Sequence, residues 1–193
     1  MEYTIITSAH FQSLRWSGGT TTELYIFPLT ADYKERNFKF RLSTATVETD
    51  KSDFTLLNGI SRKLMVLAGE ITISHEGHYT KQLNKFDVDY FDGGWKTSSI
   101  GKCTDFNLMT AGKTTGDLTA IFIEKEQHLN WKIKENYDWL FIYPYSGKIR
   151  IEINRKITAI NKGDLLVLRN PATRSLEITG NEYSELVFTE IKV

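Results

Sequence analysis

Apolar and polar residues alternate every second position in short runs along most of this chain, and a two-residue period is the mark of half-buried strands. Ten runs carry it: 20–27, 38–47, 63–74, 86–91, 105–110, 118–124, 138–145, 148–153, 164–168 and 185–191. They are rich in β-branched and aromatic residues and are bounded by Gly, Asn and Asp. No stretch of 12 residues holds a 3.6-residue apolar period, so the pattern predicts an all-β chain. Glu76-Gly77, between Ile71-Thr72-Ile73 and Tyr79, reads as a hairpin turn. Pro144 falls inside a run, which predicts an edge or a bulge there because proline gives no ladder donor.

The pattern also repeats. Residues 63–73 resemble 140–151, with Gly69 and Gly147 lying 78 positions apart. Downstream, Leu83-Asn84-Lys85-Phe86-Asp87-Val88 echoes Ile160-Asn161-Lys162-Gly163-Asp164-Leu165, and Asp87 and Asp164 are 77 apart. Two copies of one strand–Gly–strand, turn, Asp–strand unit predict two small barrels in tandem. Gly and Thr cluster near 111–117, which places the join there and gives domains 1–112 and 113–193.

Composition narrows the function classes. The 193 residues carry 24 Lys plus Arg against 24 Asp plus Glu, a net charge of zero. That removes the basic field needed by a nucleic-acid partner or an anionic membrane surface, and neither is expected. A single cysteine, Cys103, makes no internal disulfide, which fits a reducing compartment. No basic and apolar leader opens the sequence and no run approaches about 18 apolar residues, so the expected address is the cytoplasm.

Several motifs follow one another along the first half: Trp16-Ser17-Gly18-Gly19-Thr20-Thr21-Thr22-Glu23, Phe40-Arg41-Leu42-Ser43-Thr44-Ala45, Phe54, Asn58-Gly59-Ile60-Ser61-Arg62, Leu67-Ala68-Gly69, Phe91-Asp92-Gly93 and Asp105-Phe106-Asn107-Leu108-Met109. In that order and spacing the chain resembles the HutD/Ves family of bicupins, of the cupin superfamily. The most specific pieces are Arg41-x-Ser43-x-Ala45 and Asp105-Phe106-Asn107-x-Met109. The family usually has Asn before its glycines and Arg before the Glu, where this chain has Ser17 and Thr22. The resemblance implies two tandem cupin-like jelly-roll β-barrels packed intimately, side-by-side pairing into a homodimer, and an association with histidine utilisation.

Many cupins hold a metal on a His-x-His pair with a downstream Glu and His. The four histidines here, His10, His75, His78 and His128, include no such pair. His75 and His78 flank the Glu76-Gly77 turn, and two ligands at an exposed tip do not close a site, so both are expected to be solvated and neither metal nor cofactor is expected. Cys103, in Gly101-Lys102-Cys103-Thr104, has no evident base and reads as a plain loop thiol. Ser17-Gly18-Gly19 precedes a strand rather than a helix, and is either a simple glycine turn or a rim of backbone donors over a small anion.

The polar strand faces say more. Arg41, Ser43 and Ala45 share a face, as do Asp105, Asn107 and Met109, and Thr21, Glu23 and Tyr25. An exposed face looks different in this chain: Lys148, Arg150 and Glu152 alternate with Ile149, Ile151 and Ile153. Small, uncharged members beside single charges suit a narrow, partly buried cavity instead. In such a cavity Arg41 grips a carboxylate, while Glu23, Asp105 or Asn107 reads an amine, imidazole or formamide group, and Arg62 neutralises an acid or closes the barrel. The competing reading makes Arg41, Glu23 and Asp105 a satisfied internal network without a ligand. Trp139, Phe141, Tyr143 and Tyr145, or Leu140 and Ile142, fill the matching faces of the second copy, which reads as scaffold or an association surface. The candidate ligand residues are therefore Trp16, Ser17, Gly18, Gly19, Thr21, Glu23, Arg41, Ser43, Arg62, Asp105, Asn107 and Met109. The function expected is metal-independent binding or regulation through a small polar, carboxylate-bearing metabolite such as an organic acid or amino-acid derivative. The alternative is a metal-free isomerase or hydrolase with Glu23 or Asp105 as general base; a third reading is a filled interaction module.

Overall fold

A computed structural model describes residues 2–153, 155–171 and 175–193. Among the described residues the regular structure is nineteen strands and one 3-10 turn, Ser8–His10. The chain divides into two compact units, Phe11–Thr114, and Met1–His10 with Thr115–Val193. The expected boundary after residue 112 therefore assigns one strand differently. β1 (Glu2–Ile6) pairs antiparallel with β17 (Leu165–Arg169), so the first ten residues belong with the later half.

In the unit Phe11–Thr114 a six-stranded sheet runs in the order β2 (Ser13–Trp16), β3 (Gly19–Phe27), β4 (Phe40–Val47), β11 (Cys103–Ala111), β6 (Ile60–Gly69), β9 (Val88–Asp92). A four-stranded sheet runs β5 (Lys51–Asp53), β10 (Thr97–Ile100), β7 (Ile71–His75), β8 (Tyr79–Leu83). In the other unit β1 and β17 are followed by β14 (Trp139–Ser146), β19 (Ser184–Lys192) and β12 (Thr115–Ile123). Its second sheet runs β13 (His128–Lys132), β18 (Ser175–Gly180), β15 (Lys148–Ile153), β16 (Lys156–Asn161). Each unit is thus a two-layer antiparallel jelly roll, the all-β architecture the two-residue period predicts.

The repeat is visible in the backbone. Gly69 and Gly147 both link their strands at φ +77°, and a Cβ there would meet the Lys102 carbonyl at 2.3 Å or the Tyr183 carbonyl at 2.4 Å. Asp87 Oδ2 accepts from the Asn84 backbone N–H at 2.9 Å, and Asp164 Oδ2 accepts from that of Asn161 at 3.0 Å. Phe86 takes φ 69° where the second copy has Gly163 at 83°. A bulge interrupts the pairing of β11 with β6 at Thr104/Asp105, and a matching one interrupts β14 with β19 at Pro144/Ser146. Pro144 therefore sits at a bulge in a central strand, where its missing donor does no harm.

The two interiors differ. The second unit packs Leu140, Ile142, Ile149, Ile151, Leu166, Leu186 and Phe188, with others, into one apolar cluster. In the first unit one smaller cluster gathers around Ile26, Phe38, Leu57, Ile60 and Met109, and another around Val47, Leu64, Val66, Ile71, Ile73 and Leu83. Its polar residues are set between them.

Candidate functional site

Strands β4, β11 and β6 lie side by side, and their register decides which side chains meet. Arg41, Met109 and Arg62 form one row, Ser43, Asn107 and Leu64 the next, and Ala45, Asp105 and Val66 a third. Directly paired residues of antiparallel strands share a face, and neighbouring strands lie about 4.8 Å apart, so the Cα atoms of Arg41 and Arg62 are roughly 10 Å apart. β3 adds Glu23 opposite Ser43, and β9 adds Phe91 beside Arg62. With apolar clusters at either end, the ions lie out of water: Arg41 and Arg62 are each 6% exposed and Asp105 is 3% exposed.

The two arginines are held differently. Arg41 Nε donates to Glu23 Oε2 at 2.7 Å, its Nη1 donates to Ser43 Oγ at 3.1 Å, and its guanidinium lies 4.3 Å over the Tyr33 ring. Arg62 Nη2 donates to Asn107 Oδ1 at 3.0 Å, and its Cζ lies 4.9 Å from the Phe54 ring and 5.1 Å from that of Phe91. Its buried Nε has no acceptor. Asn107 passes the interaction on, donating from Nδ2 to Asp105 Oδ1. Burial pushes the Asp105 carboxyl up to about 7, against the opposing pull of the Arg62 cation and the Asn107 bond. Burial likewise lowers Arg62 to about 10, with Asp105 opposing. Cys103 Sγ lies 3.9 Å from Asp105 Oδ2, and burial with that neighbouring charge pushes the thiol up to about 12, so it stays protonated. Chemically, the cluster presents an unused guanidinium N–H and a carboxyl able to hold a proton near neutral pH.

Of the candidate residues, Glu23, Arg41 and Ser43 thus form one hydrogen-bonded group and Arg62, Asn107 and Asp105 another, with Met109 between the arginines. Thr21 lies on the same face but accepts from Trp16 Nε1 at 3.2 Å. Trp16, Ser17, Gly18 and Gly19 stand at the other end of β3 and β4: Gly19 pairs with Val47, six residues from Arg41. There Gly19 backs onto the Thr46 carbonyl, and Gly18 lies under the Trp16 ring. Tyr25 is not on the face of Glu23. A bulge between Glu23 and Tyr25 turns it over to the side of Leu42, where it stacks on Phe40, and brings Ile26 beside Arg41 instead.

Two further expectations are corrected. His75 is 2% exposed, not solvated: it follows Ile71 and Ile73 inward along β7, and its ring nitrogens lie 2.8 Å from Thr97 Oγ1 and 2.8 Å from Asp89 Oδ2. His78 alone is exposed, stacked on Trp95 at 3.7 Å. Cys103 opens β11 and is buried, rather than lying in a loop. Sequence reasoning also missed Tyr33, Phe54 as an arginine-capping ring, and the His75–Asp89 pair, because each partnership joins residues from different elements.

A surface groove of about 860 Å³ lies elsewhere, lined by Lys51, Asp53, Ser74, His78, Thr80 and Ser98 among others. It does not include Arg41, Arg62, Asp105 or Asn107, but Phe54 lines it and so stands between the groove and Arg62. Its charges are exposed and partly paired, as Lys96 is with Glu76 at 2.6 Å, so the buried cluster is the better candidate site. Among the described residues no helix is long and apolar enough to cross a membrane.

The HutD family model matches residues 8–186, and the chain belongs to that family. No curated protein matches it. Its fold is similar to that of a conserved protein of unknown function from Pseudomonas aeruginosa PAO1, with 19% identity, TM-score 0.84 and all of both chains covered. It is also similar to HutD from Pseudomonas fluorescens SBW25 in a formate condition, at 17% identity and TM-score 0.74, covering 99% of this chain and 98% of that one. Pirin YhhW of Escherichia coli, in complex with nickel(II), aligns with TM-score 0.74 at 9% identity, over 98% of each chain. The residues here do not fit such a metal centre. Among the described residues no group of three or more His, Cys, Asp or Glu side chains is placed to hold an ion, and both nitrogens of buried His75 already have neighbours.

Proposed function

We propose that this HutD-family cupin binds a small carboxylate-bearing metabolite in the unit Phe11–Thr114, as a binding or regulatory protein of the cytoplasm. The observation that carries the reading is Arg62, whose guanidinium rests against the Phe54 and Phe91 rings with one buried N–H unmatched. A buried donor without an acceptor costs about 1–3 kcal/mol, and a carboxylate that takes it forms a charge-assisted bond worth roughly 1.5–3 kcal/mol. Arg41, in the same row, adds positive potential. Glu23 takes its Nε–H and balances its charge, and Ser43 takes one N–H of Nη1, so it orients more than it grips. The free, buried Cys103 agrees with a reducing compartment.

Thermal shift against a panel of small acids, with urocanate and formylglutamate included for the family's association with histidine utilisation, tests the reading. At a hundredfold excess over Kd a binder adds about 2.7 kcal/mol, several degrees of melting temperature. Arg62→Lys keeps a cation for Asp105 but loses Nε, and should abolish most of that shift. Flat melting curves across the panel, or equal shifts in wild type and Arg62→Lys, would refute it.

The raised Asp105 carboxyl favours one second reading, a metal-free isomerase or hydrolase with Asp105 as base. Turnover of a bound acid that Asp105→Asn abolishes would establish it; binding without turnover would discard it. Glu23, held by Arg41 and with its side chain 40% exposed, is the weaker candidate for that role.

A further inference from the structure

We propose that, above neutral pH, the site takes up one proton from solvent with each carboxylate it binds, and that the proton settles on Asp105. The inference rests on the carboxylate reading above and follows from the charges inside the cluster. Arg41 is matched by Glu23 at 2.7 Å, and Arg62 balances Asp105 through the amide of Asn107. With Asp105 ionised, two cations face two anions and the cluster is neutral. A carboxylate accepting from Arg62 Nε brings a third anion, and the cation that balances Asp105 is then shared. Two buried anions on one cation are costly, and the relief available is protonation of one of them.

Asp105 is the group built to accept it. Oδ1 takes the Asn107 bond, which leaves Oδ2 for the proton, with Cys103 Sγ at 3.9 Å. The titratable and charged groups around it are few. Its own strand offers Cys103, whose thiol stays protonated; β6 offers Arg62; β4 offers Arg41, tied to Glu23 of β3; and Tyr33 acts on Arg62. From the facing sheet come Ile71 and Ile73, while His75 is turned to Asp89 and Thr97. The Asp105 carboxyl already titrates near 7 in the empty site, so the added anion pushes its titration above neutral pH.

Acetate and benzoate are suitable probes, because their own carboxyl groups stay ionised between pH 6 and 9. Titration calorimetry in two buffers of different ionisation enthalpy reads the protons taken up. The expected uptake is roughly half a proton at pH 7, approaching one at pH 8, with Kd weakening close to tenfold per pH unit above 7 and flat below 6. Asp105→Asn should bind with no proton uptake and a flat profile. Binding by the wild type at pH 8 with no proton uptake overturns the inference and leaves the carboxylate reading standing. If neither these acids nor any acid of the thermal-shift panel binds, the carboxylate reading falls and this inference with it.

Discussion

Asp105 sits where a carboxylate is least at home, fully enclosed and one amide away from its nearest cation. Its folded-state pKa of about 7 lies above the ordinary 3.8, so between those values the folded chain binds more protons than the unfolded one. Stability from this group is complete below about pH 4 and is lost as pH rises through 7, by up to about 4 kcal/mol. Asp105→Asn, which keeps an acceptor for Asn107, should therefore raise the urea midpoint at pH 8 and change it little near pH 4. Equal midpoints at pH 8 would show that Asp105 is not desolvated as described. The alternation of Arg41, Ser43, Asp105 and Asn107 made this face legible in the sequence. The pairing of His75 with Asp89 was not, since a partner 14 residues away on another sheet leaves no local pattern.

At the scale of strands, apolar alternation marked those that carry most of the buried apolar side chains. It overlooked Glu2–Ile6, Ser13–Trp16, Lys51–Asp53, Tyr79–Leu83, Thr97–Ile100, His128–Lys132, Lys156–Asn161 and Ser175–Gly180, strands of three to six residues with few buried apolar side chains, whose sheet position is set by their neighbours. It also overlooked the bulge at Glu23/Tyr25, because one extra residue reverses the facing of everything after it and nothing in the side chains announces it. The linker glycines are firmer ground. Gly69→Ala and Gly147→Ala each place a side chain at φ +77° and against a backbone carbonyl. Each should cost at least about 1–3 kcal/mol, read as a drop in urea midpoint. An unchanged midpoint for either would mean that the link is not held in this conformation.

Across the whole molecule, one chemistry is written over a duplicated frame. Aligned on Gly69 and Gly147 and on the shared bulge, Arg62, Asn107 and Asp105 correspond to Leu140, Phe188 and Leu186, all buried. The same places hold ions in one unit and a dry core in the other, which is why the sequence repeat reveals architecture while saying nothing by itself about chemistry. The second unit depends on its outlying strand. Tyr3 and Ile5 pack, partly buried, against its apolar cluster, each contributing less than the roughly 1.5–3 kcal/mol of a fully buried side chain of that size. Removing residues 2–7 should speed amide hydrogen exchange in β17 while leaving β4 and β11 protected; unchanged exchange in β17 would show the pairing to be dispensable. That same pairing has a consequence for the newborn chain. Glu2–Ile6 leaves the ribosome about 160 residues ahead of Leu165–Arg169, a wait of roughly 8–30 s at ordinary rates of translation. By then Phe11–Thr114 has every strand it needs to close, while the leading segment is still a loose end.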